Sequence, residues 1–248
     1  MSRILYEHPL NERIRNYLKL EHLFGQVTCA QQLDIQQGYF ALFTALFAIL
    51  DSLDRNDIRG DLIKDLEKLE QNLVIWSQRP DVDTSALEEN LRRTVSLVNR
   101  LRSANTPWSK LKDDKLLSGV RQRFAIQGGS ASFDLPQLQF FLHQPQKTSE
   151  EQINAWLITL EQLKDAVALI LVFIRQRSHF ECIETESGFY QDNGEGLVLL
   201  RIQVDENAQY YPTVSGNRFR YSIRFMLPCE QSGRRYSNLA TKFYLAKC

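Results

Sequence analysis

A chain of 248 residues with 43% hydrophobic and 24% charged side chains has the composition of an ordinary globular protein, which excludes a predominantly disordered chain. Thirty basic and thirty acidic side chains give a formal net charge of zero, so the molecule as a whole has no general attraction for nucleic acid or anionic lipid. Any such attraction requires local segregation of charge along the chain.

Three further features bound the class of protein. The longest apolar segment, 38–50, has thirteen residues, whereas a helix that crosses a bilayer needs about 18 to 20, so a buried helix is expected there. The N-terminal residues lack the apolar region of a secretory signal. The cysteines show no paired spacing, which predicts reduced thiols in a cytosolic protein, without a zinc site or a disulfide framework. They are Cys29, Cys182, Cys229 and Cys248.

The first ~120 residues follow the period of α-helices. After Pro9, apolar residues recur at spacings of three, four and seven and predict a helix that ends near Gly25. A second, more apolar helix is predicted at about 36–54. Both helices would bury one face in a bundle.

The next two predicted helices form a hairpin. From about Arg59 to Trp76, leucines repeat at heptad spacing; residues 79–81 (RPD) predict a break, and a capping box at Ser85 predicts the start of the fourth helix. The apolar seam of this hairpin fits two arrangements, packing within one bundle or pairing with a copy of itself.

Periodicity changes after Arg121. A turn is predicted at 127–129, residues 130–133 are compatible with a strand, and 134–144 fits either a strand or a short helix. A long apolar helix is predicted at 148–176, and residues beyond His179 alternate with period two, as in a half-buried sheet.

These patterns predict an α+β fold with two domains. The α-helical bundle domain comprises 1–117 and 148–178, and the smaller antiparallel β-rich domain comprises 118–147 and 179–248.

Charge is segregated within the β-rich region. Residues 180–206 contain seven acids and one base, whereas 212–248 contain seven bases and one acid. Within the basic segment, arginine and apolar residues alternate along 218–225, so a strand there would present two different faces. One face would carry Arg218, Arg220, Ser222 and Arg224, and the other Phe219, Tyr221, Ile223 and Phe225.

The arginine face fits two interpretations. Guanidinium groups bind carboxylates through two parallel hydrogen bonds, which indicates a site for an acidic peptide. Alternatively, the arginines are solvated or are neutralised by the acidic 180–206 segment folding across them.

Catalytic patterns are poor. The four histidines are scattered without an HExxH motif, and GxGxxG, P-loop and GxSxG motifs are missing from the sequence. We therefore predict that the protein is not an enzyme and has no metal or cofactor.

Five segments spread along the chain resemble the bacterial ZapD family of cell division proteins. They are 6–12 (YEHPLNE), 120–123 (VRQR), 128–136 (GGSASFDLP), 188–194 (GFYQDNG) and 215–226 (SGNRFRYSIRFM). The resemblance implies a cytoplasmic homodimer with a helical and a β-rich domain. Such a dimer would bind the C-terminal tail of FtsZ in a positively charged pocket between the domains, and would crosslink and bundle FtsZ filaments at the midcell division ring to support septation.

The resemblance places pocket arginines at Arg55, Arg220 and Arg224. The alternating face adds Arg218, and the VRQR segment adds Arg121 and Arg123 near the predicted domain junction. Dimerisation is expected on the helical domain, with 38–50 and the 62–101 hairpin as candidate surfaces.

A single-stranded nucleic-acid-binding module is the alternative function, because stacking and phosphate contacts use similar residues. The alternation argues against it, since Phe219, Tyr221 and Phe225 would face the core, away from the arginines.

Overall fold

The computed structural model describes residues 2–78, 84–103, 106–231 and 233–248 and has a mixed α+β fold, which confirms the predicted fold class. The helices are α1 (Glu12–Ala30), α2 (Ile35–Arg55), α3 (Ile58–Ser77), α4 (Thr84–Arg102), α5 (Lys110–Asp113), α6 (Lys115–Phe124), α7 (Pro136–Leu142), α8 (Gln146–Ile158) and α9 (Glu161–Arg175). The strands are β1 (Arg3–Pro9), β2 (Glu181–Thr185), β3 (Phe189–Asn193), β4 (Leu199–Asp205), β5 (Tyr211–Gly216), β6 (Arg220–Cys229), β7 (Gly233–Tyr236) and β8 (Thr241–Lys247).

The chain divides into two compact units. The β unit comprises Met1–Leu18 and Leu171–Cys248, and the helical unit comprises Lys19–Ile170. Both divisions fall within helices, in α1 and α9. The predicted domain boundaries differ from these units in three segments, which are 1–18, 118–147 and 171–178.

The N-terminal strand β1 pairs antiparallel with β4, with Arg3 opposite Asp205 and Pro9 opposite Leu199. The sequence reasoning began its first element after Pro9 and assigned residues 1–117 to the helical domain. A strand at the edge of a sheet needs no apolar alternation on its outer side, and its partner lies almost 200 residues away in sequence. Local pattern therefore carried no signal for it.

Residues 118–147 belong to the helical unit. The undecided segment 134–144 contains helix α7, and its apolar residues Leu138, Phe141 and Leu142 are buried at helical spacing. The glycine pair makes the predicted turn: Gly128 has φ +75°, and a Cβ on Gly129 would lie 2.2 Å from the Arg123 carbonyl oxygen. This turn connects two helices instead of introducing a sheet.

The hairpin of α3 and α4 uses its leucine seam internally. Leu62, Leu66 and Leu73 are at most 2% exposed within the subunit. The first of the two interpretations of the seam, packing within a bundle, accounts for these leucines. The predicted break at 79–81 lies outside the described residues.

The single long helix predicted at 148–176 is wrong, because the structure has two helices, α8 and α9, with an interruption at Thr159 and Leu160. The Thr159 hydroxyl donates to the Trp156 carbonyl at 2.6 Å, a local side-chain bond that competes with the continuing helix. Neither glycine nor proline marks this point in the sequence.

The β unit contains two antiparallel sheets of four strands each among the described residues. Sheet A has the order β1-β4-β8-β2, and sheet B has the order β3-β6-β5, with β7 also paired to β6. Their inner faces share one apolar core, to which β4 contributes Leu200, Ile202 and Val204 and β6 contributes Ile223 and Phe225. The period-two prediction for 200–204 is confirmed, and the other face of β6 is left for the site described next.

Candidate functional site

The candidate site is the outer face of sheet B, the face turned away from the core. Strand register places on it the residues paired with Arg220, Ser222, Arg224, Met226 and Pro228 of β6, because residues paired across antiparallel strands point to the same side. Its strand residues are Phe189, Gln191 and Asn193 of β3, Tyr211, Thr213 and Ser215 of β5, Arg220, Ser222, Arg224, Met226 and Pro228 of β6, and Arg234 and Tyr236 of β7. This set contains three arginines and no carboxylate.

Alternation along β6 follows the predicted pattern from residue 220 to 225. Tyr221, Ile223 and Phe225 are at most 1% exposed, whereas Arg220 and Arg224 are exposed. The prediction fails for the preceding two residues, because Arg218 and Phe219 lie in the turn between β5 and β6 and not in the strand.

Phe219 is consequently 62% exposed instead of facing the core. The turn is fixed by the Asn217 side chain, which accepts hydrogen bonds from the backbone N–H groups of Phe219 and Arg220. In the turn, the Arg218 guanidinium lies 4.6 Å from the centre of the Phe219 ring.

Two acids of the 180–206 segment, Glu184 and Asp192, form ion pairs with lysines. Lys247 Nζ lies 2.5 Å from Asp192 Oδ2, and Lys242 Nζ lies 2.8 Å from Glu184 Oε1. The hydrogen bond from Lys247 lowers the pKa of Asp192, and that from Lys242 lowers the pKa of Glu184. In the part of the chain that the structure describes, no carboxylate lies within ion-pair distance of Arg220 or Arg224. The neutralisation of these arginines by the acidic segment is therefore not observed.

Arg224 lies on the central strand of the face, beside two aromatic rings. Its guanidinium carbon is 4.6 Å from the centre of the Phe189 ring and 5.1 Å from that of Tyr236. A groove of about 250 Å³ adjoins it, and this groove is also lined by hydroxyl groups and a second arginine, Arg234. A cation, hydroxyl donors and aromatic surfaces together suit a carboxylate attached to an apolar chain.

The other candidate residues lie in the helical unit. Arg55 is the last residue of α2 and is exposed, and Arg123 is exposed near the end of α6. Arg121 differs, because its guanidinium binds Asp51 and also lies 2.8 Å from Asp54 Oδ2. Since Lys112 lies 2.5 Å from Asp54 as well, these four residues form a compensated cluster, and a structural role for Arg121 is better supported than a binding role.

Sequence reasoning missed Phe189 and Tyr236. Phe189 lies in the GFYQDNG segment that carried the family resemblance, and Tyr236 follows the two arginines of β7. An aromatic residue next to a required glycine was the available signal, but its proximity to Arg224 depends on the pairing of both strands with β6.

Other site classes receive no support from the described residues. No cluster of three or more His, Cys, Asp or Glu side chains in the described ranges is arranged to hold a metal ion. Among the same residues, no helix combines the length and hydropathy that a membrane crossing requires. All four cysteines are free.

The fold and this face define an α+β protein of two compact units, in which Arg220 and Arg224 share one sheet face and have no carboxylate within ion-pair distance among the described residues. The family model for the ZapD cell division proteins matches residues 18–224. The cell division protein ZapD of Idiomarina loihiensis is 40% identical over 246 residues, which cover 99% of this chain and 96% of the relative. Those of Yersinia enterocolitica and Pectobacterium carotovorum are each 38% identical over 247 residues, covering 100% of this chain and 98% of the relative. The chain therefore belongs to the ZapD family of cell division proteins.

Proposed function

We propose that this protein is a non-enzymatic, cytoplasmic division factor that binds the C-terminal tail of FtsZ and, as a homodimer, crosslinks and bundles FtsZ filaments at the midcell ring. Two observations support the proposal: membership of the ZapD family, and a sheet face on which Arg220 and Arg224 have no carboxylate within ion-pair distance among the described residues. The arginine face is the observation that carries the chemistry.

The spacing on β6 suits an extended acidic peptide. Arg220 and Arg224 are four residues apart on one face, which corresponds to about 13 Å at the rise of a strand. Carboxylates four residues apart on an extended tail have the same separation, so both could be bound at once by charge-assisted hydrogen bonds. Arg218 in the adjoining turn extends the positive surface, and Arg55 and Arg123 are exposed cations that the helical unit would supply.

Bundling follows from valence. The affinity of a single tail for one such face would be modest, because the tail must become ordered on binding. A dimer carries two such faces and a filament displays many tails, so the second contact is intramolecular and avidity exceeds either single affinity. Dimerisation is therefore part of the proposed mechanism.

Charge reversal on the face tests the proposal. Arg220→Glu and Arg224→Glu should abolish the sedimentation of FtsZ bundles, and wild-type protein should fail to bundle FtsZ that lacks its C-terminal tail. Arg235→Glu is the matched control, because Arg235 is exposed on β7 but alternates to the opposite side from Arg234 and Tyr236. Bundling by the tail-less polymer, or equal loss in all three variants, would refute the proposal.

Light scattering coupled to size exclusion should show a dimer for every variant. A monomeric wild-type protein at the concentration of the bundling assay would refute the crosslinking mechanism independently of the tail contact.

A nucleic-acid-binding function is favoured by one observation, the exposure of aromatic rings beside the arginines. Phe219 and Tyr236 are each 62% exposed, so the sequence argument that all the aromatic residues of this strand segment face the core no longer applies. A titration with single-stranded DNA at two salt concentrations separates the two functions, since several phosphate contacts would produce a steep salt dependence. We expect no such binding at physiological salt.

A further inference from the structure

We infer that Phe189 and Tyr236 form an aromatic bracket that positions the Arg224 guanidinium for a carboxylate of the bound acidic peptide. This inference rests on the proposed function and adds two positioning residues to it. Both rings lie within 5.1 Å of the guanidinium carbon, so one charged group has two aromatic neighbours.

The bracket is built by the backbone around Phe225. The Phe225 N–H donates to the Gly188 carbonyl at 2.8 Å, and the Phe225 carbonyl accepts from the Ser237 N–H at 2.9 Å. We call these two hydrogen bonds the clamp. Its residues are neighbours in sequence of the two rings and of the arginine, since Gly188 precedes Phe189, Ser237 follows Tyr236, and Phe225 follows Arg224.

Gly188 permits this close approach. Its φ of +62° is in the left-handed region, and a Cβ there would lie 2.4 Å from the Ser237 carbonyl oxygen. The end of β7 therefore lies directly against the start of β3, and the two aromatic residues are brought to the same side of sheet B. Because the clamp consists of backbone contacts, it fixes the backbone positions of Phe189 and Tyr236 before any ligand binds.

The bracket has a physical consequence for binding. An unsupported arginine side chain samples many rotamers and loses that freedom when it binds a carboxylate. Rings beside the guanidinium restrict it in advance and leave its N–H groups available at the edge, where a carboxylate binds in the plane of the guanidinium. The adjoining groove, lined by Thr213, Ser222 and Arg234, is the space that the rest of an acidic residue would enter.

The test is a double-mutant cycle measured by fluorescence anisotropy with a labelled peptide of the FtsZ C-terminal tail. Removing both rings, in the Phe189→Ala/Tyr236→Ala variant, should weaken binding about 2- to 13-fold, because the Arg224 side chain would then lose its rotamer freedom on binding instead of before it. In an Arg224→Gln background the same two substitutions should change binding by less than about twofold, because the rings act through the missing guanidinium.

Conservative and control variants make the test specific. Tyr236→Phe should bind as the wild type does, because the bracket uses the ring and not the hydroxyl. Leu239→Ala, which removes a 66% exposed apolar side chain of the same unit, should have no effect. If Phe189→Ala disturbs folding, the Tyr236→Ala variant alone tests the inference, with an expected loss of affinity of about two- to fivefold from the smaller restriction of Arg224.

The outcomes separate this inference from the function on which it rests. Equal losses in the wild-type and Arg224→Gln backgrounds would overturn the bracket, as would full binding without the rings or a requirement for the Tyr236 hydroxyl. If Arg224→Gln alone leaves tail binding intact, the proposed function itself is refuted.

Discussion

Gly188 offers a direct test of the clamp that holds β3 against the end of β7. Replacing it with alanine adds two costs. A side chain at φ +62° costs about 1–2 kcal/mol, and a Cβ at 2.4 Å from the Ser237 carbonyl oxygen forces backbone to move, which costs about 1–3 kcal/mol more by analogy with overpacking. Gly188→Ala should therefore lower the free energy of unfolding of the β unit by about 2–5 kcal/mol.

Gly196 supplies a matched control. Its φ is +78°, also left-handed, but a Cβ there would meet no atom within 4 Å. Gly196→Ala therefore bears only the first cost, about 1–2 kcal/mol. The difference between the two variants isolates the contact between Gly188 and Ser237.

The assay must report on the β unit. All three tryptophans, Trp76, Trp108 and Trp156, lie in the helical unit, so intrinsic tryptophan fluorescence would follow the wrong part of the chain. Amide hydrogen exchange of the strand residues reports the opening free energy of the sheets themselves. Equal loss of protection in the two variants would refute the clamp, and so would a Gly188→Ala protein as protected as the wild type.

Three further predictions concern other parts of the molecule. Asp114→Ala should cost the helical unit about 2–4 kcal/mol in urea unfolding, because its carboxylate caps α6 and accepts from the buried Trp156 indole at 2.8 Å; a loss below about 0.5 kcal/mol would contradict this. The hydrogen bond from Lys112 lowers the pKa of Asp54 below its ordinary 3.8. The stability that the ionised Asp54 carboxylate contributes is therefore fully present above pH 3.8 and is lost as the pH falls through the lowered pKa. Asp54→Asn should flatten the acid limb of the stability profile, and an unchanged limb would contradict this. Gln191→Glu places a carboxylate on the arginine face and should weaken tail binding about two- to fivefold, and unchanged affinity would contradict it.

The face of β6 could be predicted because the alternation of arginine and apolar residues is visible within one short segment of the sequence. Residues 220–225 carry the period of a half-buried strand, and neither partner strand is needed to assign Arg220 and Arg224 to one side. The prediction failed at Phe219 because Asn217 accepts backbone hydrogen bonds and makes a turn, so the strand begins two residues later than the alternating pattern does.

The surroundings of the arginines could not be predicted in the same way. Phe189 and Tyr236 are 35 and 12 residues from Arg224 in sequence, and they meet it only because β3 and β7 both pair with β6. Strand β1 was missed for a similar reason, since its partner β4 lies at the other end of the chain. Register between distant strands follows from packing, which no single window of sequence records.

The distribution of counter-ions bears on which charges are available to a partner. In the β unit, Arg175 and Arg201 both bind Glu7, at 2.6 and 3.0 Å, and all three side chains are at most 22% exposed. Arginines that support the structure are thus held by a carboxylate and largely removed from water, as the cost of burying a charge requires. Arg220 and Arg224 are exposed on the same unit, while nearby acids bind lysines instead. The unit therefore contains carboxylates that could have neutralised Arg220 and Arg224, yet none of those described lies within ion-pair distance of either arginine.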